Sequence, residues 1–148
     1  MKRVKSISLD TFLMKEDTTD VFFAYYCGQR RFNLIQVRYC VPFLLMKLGV
    51  LPKSSYQNIL FMHIFRGTSY RRFSGICQDF AMQMLDHHVN IVRLHDLLSL
   101  QAQGTTVCII SHGLSAWVKP WCSKYGFTNI SCNDSEVVNR RLTGRVLY

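Results

Sequence analysis

Thr105-Thr106-Val107-Cys108-Ile109-Ile110-Ser111-His112-Gly113 is the stretch on which the fold of this sequence turns. Residues 105–110 are rich in β-branched side chains, and Val107, Cys108, Ile109 and Ile110 are consecutively apolar. A strand with one wet face alternates in polarity, whereas a strand apolar throughout is covered on both faces, as in a parallel sheet flanked by helices. Ser111, His112 and Gly113 follow at once and read as a loop beyond the strand's carboxyl end. Ligands of open α/β sheets bind there, where helix N-termini offer free backbone N–H groups. Ser111 is thus a candidate to hydrogen-bond a phosphate oxygen, His112 to touch the same ligand, and Gly113 to let the backbone approach it. The competing reading is that Ser111-His112 only caps the helix that follows.

Outward from this stretch, residues 114–125 read as a helix broken or kinked at Pro120 and stopped by Gly126, and residues 127–132 as another strand. Upstream, residues 91–103 form an amphipathic pattern ending at Gly104. Near the N-terminus, Val4, Ile7 and Leu9 alternate imperfectly with polar residues, a short strand ending near Asp10 with a loop at Ser8 to Phe12. Between these lie four helical patterns. Asp17, Thr18 and Thr19 can cap the first, which stops at Gly28; the second covers residues 30–48 and closes at Gly49; Pro52 opens the third; Ser69 can cap the fourth. Residues 18–88 therefore read as all-helical, inserted into an α/β unit made of residues 1–17 and 89–148, with right-handed crossovers between parallel strands.

Composition bounds the function. The chain has 148 residues, 49% of them hydrophobic and 18% charged, which suits one domain with one sizeable core and excludes a disordered chain. The net charge of +9 attracts anions. Its cations are scattered, in small groups such as Lys2, Arg3 and Lys5 or Arg71 and Arg72, without interleaved stacking motifs, so dedicated nucleic-acid binding is not expected. Six cysteines without a CxxC pair or a Cys/His cluster read as reduced, buried thiols of a cytoplasmic protein. No secretory signal is evident, and the most membrane-like stretch, residues 32–51, carries Arg38, Pro42 and Lys47, so an amphipathic helix buried against its neighbours is expected rather than a span. The histidines other than His112 are expected on helix faces or ends, and Phe22, Phe23, Tyr25, Tyr26, Phe32, Tyr39 and Phe43 as helix-packing core.

The run from Val107 to Gly113, followed by Trp117-Val118-Lys119-Pro120-Trp121, then Glu136-Val137 and Arg141-Leu142-Thr143-Gly144-Arg145, resembles the haloacid dehalogenase (HAD) superfamily of phosphatases. More narrowly, it is similar to the phosphoserine-phosphatase-like branch, subfamily IB, whose helical cap is inserted between the first and second motifs. The resemblance extends over nearly the whole chain. It implies a Rossmann-like core at 1–17 and 89–148, an all-helical cap at 18–88, Mg²⁺ as cofactor and a small phosphorylated metabolite as substrate. In such enzymes an aspartate attacks phosphorus, forming a phosphoaspartyl intermediate, and a second aspartate two residues later exchanges protons with the leaving alcohol and with water. The metal neutralises charge on the transferring group.

The family's first motif reads D-x-D-G-T. Matching the turn Glu16-Asp17-Thr18 to the family's places Ser8 at the nucleophile, Asp10 at the acid/base and metal-ligand position, and Thr11-Phe12 in place of Gly-Thr. Taking Asp10 as nucleophile instead puts Phe12 at the acid/base and shifts the Asp17-Thr18 match. The sequence also stops at Tyr148, just after Arg145, where the family continues to a third-motif lysine and a fourth-motif acidic pair, so it reads as a truncated member. Three functions follow: an active phosphatase, a phosphatase-type hydrolase impaired by Ser8 and the missing motifs, and a non-catalytic protein that pairs through an open sheet edge, with itself or with a complementing C-terminal fragment.

Overall fold

The structure, a computed structural model, describes residues 3–147; Lys2 of the N-terminal basic group and Tyr148 lie outside the described residues. Among the described residues, four strands make one sheet in chain order: β1 (Val4–Ser8), β2 (Thr106–Leu114), β3 (Asn129–Val138) and β4 (Arg141–Leu147). β1 pairs with β2 in parallel, Val4 opposite Thr106 and Ser8 opposite Ile110, and β2 pairs with β3 in parallel. The apolar run of β2 is thus sandwiched between two parallel neighbours, with Val107 and Ile109 buried. β1 lies at the sheet's edge, with β2 on its one paired side.

Seven helices cover the rest: α1 (Thr18–Cys27), α2 (Gln29–Arg38), α3 (Cys40–Lys47), α4 (Lys53–Phe65), α5 (Tyr70–Gln83), α6 (Ile91–Ala102) and α7 (Ser115–Lys124). Asp17 caps α1, its carboxylate accepting from the Thr19 N–H at 2.9 Å. Ser69 stands at the N-cap of α5 without a side-chain hydrogen bond, so it does not cap through its hydroxyl. No strand lies between residues 20 and 88; a single antiparallel bridge joins Ser69 to Arg141.

Several expectations are corrected. Ser111, His112 and Gly113 are not a loop: β2 runs through them to Leu114, with its register shifted between Ile110 and Leu114 as β3 continues alongside. Leu114 therefore occupies the N-cap of α7, and Ser111-His112 caps nothing. The strand expected at 127–132 starts at Asn129 and runs to Val138, where Asn139 and Arg140, at φ 52° and 63°, turn it back into antiparallel β4. Two successive positive φ values are the signature of a tight hairpin turn whose twist suits the strands it joins. Residues 30–48 are two helices, not one, broken at Tyr39. Pro42 has no N–H to offer the Arg38 carbonyl, so the helix cannot run through. The segment is amphipathic, with Phe32 and Ile35 buried and Tyr39, Phe43 and Met46 packed against the core, while Leu34, Val37, Val41, Leu44 and Leu48 are exposed. Pro120, in contrast, does not break α7, which buries Trp117, Val118, Trp121 and Cys122 around it. All six thiols are free, but only Cys77 and Cys122 are buried and Cys40 is exposed.

The helices are locked by aromatic contacts. Phe22 of α1 stacks on Trp117 of α7 at 4.4 Å and on Phe65 of α4 at 5.6 Å, and meets Phe80 and Phe73 of α5 edge-on at 5.1 and 6.0 Å. Four helices thus converge on one ring. A polar clamp joins the chain after α5 to α7: Asp86 accepts from Trp121 Nε1 at 2.9 Å and Tyr125 Oη at 2.7 Å, and pairs with Lys124. Partial burial alone raises the Asp86 pKa, but the hydrogen bonds from Lys124, Tyr125 and Trp121 outweigh it and hold the carboxyl below its ordinary range.

Phe22→Ala should lower the unfolding free energy by about 3–5 kcal/mol, whereas Val92→Ala, at an exposed site, should change it by less than about 0.5 kcal/mol; denaturant titration of both reads the difference. A depressed carboxylate adds stability that is present above its unfolded pKa and lost as pH falls through the folded one. Asp86→Asn should therefore cost stability at neutral pH and narrow its gap to wild type below about pH 4, measured as melting temperature against pH.

Candidate functional site

The residues singled out at the carboxyl ends of β1 and β2 meet at Asp10. After Ser8 the chain makes a π-helical turn over Leu9–Leu13, closed by Met14 N–H donating to the Leu9 carbonyl at 2.9 Å. Such turns insert one residue more than an α-turn and commonly occur at functional sites. This one buries Leu9 and Leu13 and swings Asp10 between β2 and the start of α1, leaving it 9% exposed.

Four donors reach its carboxylate. Oδ1 accepts from the Thr18 hydroxyl at 2.7 Å and the Thr18 N–H at 3.2 Å; Oδ2 accepts from the Ser111 hydroxyl at 2.9 Å and the His112 N–H at 3.1 Å. An ionised carboxylate has about four lone-pair directions, and here each is engaged. The network extends outward. The Gly113 N–H donates to the Ser111 Oγ at 2.9 Å, and Trp117 Nε1 approaches the Thr18 hydroxyl at 3.4 Å.

Asp10, Ser111, His112 and Gly113 are thus brought together, as the sequence suggested, in one hydrogen-bonded group. The Ser111 hydroxyl points at Asp10 and is 4% exposed. His112 contributes its backbone to Asp10, and its carbonyl accepts from Asn133 Nδ2 at 3.1 Å. Gly113 leaves room for protein: a Cβ there would lie 2.9 Å from Trp117 Nε1 and 3.0 Å from the Thr18 hydroxyl. Ser8, half-buried at the end of β1, is not among the donors to Asp10. The reading of the sequence missed Thr18 as a partner of Asp10, although the turn Glu16-Asp17-Thr18 marks it; a threonine at a helix start was explained locally as a cap. His63, His87, His88 and His95 lie on helices or at their ends, as expected.

Next to the network is a cavity of about 20 Å³, lined by Thr19, Gln57, His112, Trp117 and Asn133 among others. That is room for one water molecule.

The match to the model of the haloacid dehalogenase-like hydrolases covers residues 9–148, and the chain belongs to that family. Among solved structures, a protein of unknown function from Bordetella pertussis Tohama I superposes with a TM-score of 0.73 at 16% identity, over 99% of this chain and 67% of that one. A HAD family hydrolase from Salmonella enterica serovar Typhi gives 0.66 at 18% identity, over 97% and 44%. A phosphoserine phosphatase from T. onnurineus gives 0.61 at 14% identity, over 99% and 64%. The chain therefore spans between under half and two thirds of these proteins' lengths. Among curated proteins none matches it.

Phosphatases of this superfamily are generally Mg²⁺-dependent, which makes the fit of a metal a test of the site. Mg²⁺ takes carboxylate and water oxygens in octahedral geometry. Among the described residues no group of three His, Cys, Asp or Glu side chains converges, and both oxygens of Asp10 already face hydrogen-bond donors. The residues of this arrangement do not fit the ion.

Asp10→Ala should destabilise the chain by about 2–4 kcal/mol, because it leaves donors of Thr18, Ser111 and His112 buried without an acceptor. Ser8→Ala, outside the network, should cost less than about 1 kcal/mol, and equilibrium unfolding in urea separates the two.

Proposed function

We propose that this chain keeps the architecture of a phosphomonoester hydrolase, a partial core at 1–17 and 89–148 with a helical cap at 18–88, while its first motif has become a structural tie without Mg²⁺-dependent phosphatase turnover. The observation that carries this reading is the fourfold hydrogen bonding of Asp10. A carboxylate acting as general acid/base must exchange its proton with the substrate, and this one is turned to Thr18, Ser111 and His112. Ser8, at the nucleophile position, offers a neutral hydroxyl with no hydrogen bond to Asp10 to deprotonate it. The adjoining cavity of about 20 Å³ has room for about one water molecule. A small phosphorylated metabolite is the ligand class of the ancestral site, and Ser111, His112 and Gly113 would face it only after the network had opened. Free thiols at all six cysteines favour a reducing compartment such as the cytoplasm.

A second reading, a binding protein that associates through its sheet, rests on the position of β1. Its Val4, Lys5 and Ser6 are exposed, and its outer backbone edge is the geometry that invites another strand, from a second copy or from a complementing C-terminal segment. Ser6→Pro, which removes an N–H from that strand, would dissociate such a pair in light scattering.

Hydrolysis of p-nitrophenyl phosphate with Mg²⁺ tests the main reading. The expected rate is the uncatalysed background, unchanged by Ser8→Ala and not restored by Ser8→Asp, since a new carboxylate would still lack a metal partner in Asp10. Turnover well above background that Ser8→Ala abolishes would overturn it.

A further inference from the structure

Helices α2 and α3 carry an apolar stripe that the fold leaves uncovered. Leu34 and Val37 on α2, and Val41, Leu44 and the C-cap Leu48 on α3, recur at intervals of three and four residues, the spacing of one face of each helix. Leu34 is 70% exposed, Val41 64% and Leu48 76%. The other side of α2 packs inward through Phe32 and Ile35, while α3 has no fully buried residue. A soluble monomer seldom leaves so long an apolar row in water.

The charge around the row identifies what covers it. Between Asp20 and Asp79 the sequence contains no Asp or Glu. Lys53 is taken up by Asp17 and Asp20, each at 3.3 Å. Arg30, Arg31, Arg38 and Lys47 are exposed, and Arg30 and Arg38 stand four residues before and after Leu34, on its side of the helix. A second copy seated on the same face would set these cations against their own counterparts, with no carboxylate in the segment to pair them. A surface that is apolar within and anionic at its rim satisfies both features at once.

We propose that the α2–α3 face docks on an anionic lipid bilayer, its leucines and valines in the boundary between headgroups and acyl chains and its arginines among the lipid phosphates. Helices of 10 and 8 residues lie on such a surface and are too short to cross it. No helix among the described residues is long and apolar enough to span a membrane. The inference is independent of whether the chain has phosphatase activity.

Co-sedimentation of the full chain with phosphatidylcholine vesicles, with and without phosphatidylglycerol, tests it. Sedimentation with the phosphatidylglycerol vesicles, weakened by added salt, is the expected result. Joint replacement Arg30→Ala, Arg31→Ala and Arg38→Ala should weaken partitioning about a hundredfold, at roughly fivefold per charge. Val41→Asp with Leu44→Asp should abolish it without lowering the melting temperature, since both positions face solvent. If that pair fails to fold, the arginine variant, which keeps the stripe, still decides. Equal sedimentation with both vesicle types, or unchanged binding by the arginine variant, would overturn the proposal. So would a dimer in light scattering that Leu44→Asp dissociates while Ser6→Pro does not, for the face would then belong to a second copy.

Discussion

One buried carboxylate organises this molecule. Asp10 leaves β1 through a π-helical turn and accepts hydrogen bonds from both the first turn of α1 and the far end of β2. A charge taken out of water is tolerated only where hydrogen bonds replace its hydration. Here the replacement comes entirely from Thr18, Ser111 and His112, so three elements are fixed relative to one another by one side chain. The same donors that stabilise the anion engage both of its oxygens.

Around that tie the aromatic core is intact. Trp117 touches both: its ring stacks on Phe22, and its indole nitrogen approaches the Thr18 hydroxyl that binds Asp10. Gly113 is constrained by the same indole, because any side chain there would collide with it. Polar network and hydrophobic core are therefore one packed unit. Loss of either is felt in the other.

The sequence made the parallel pairing of β1 with β2 legible, because four consecutive apolar residues allow few other environments. Helices α1, α4, α5 and α6 were legible too, from their caps, terminating glycines and spacing. The β3–β4 hairpin was not: its turn is Asn139-Arg140, without the glycine that usually announces two positive φ values. The break at Tyr39 follows from a missing N–H four residues on, a constraint that a hydrophobic pattern does not display. At the site, the motif grouped Asp10, Ser111, His112 and Gly113, but the hydrogen bonds among them were not legible. These depend on which way a hydroxyl and a carboxylate turn, and that is decided by contacts about a hundred residues apart, such as Ser111 with Asp10 at a separation of 101.

That separation also bears on how the chain folds. Among the described residues β1 finds its hydrogen-bonded neighbour only in β2, across all six of the helices α1 to α6. Closing a loop of that size costs more entropy than any pairing within it. The backbone hydrogen bonds within each of helices α1 to α6 close only short loops and need no such long-range pairing. The carboxylate is a latch in this sense: all four of its hydrogen bonds form only when the start of α1 and the end of β2, segments about a hundred residues apart, are both in place.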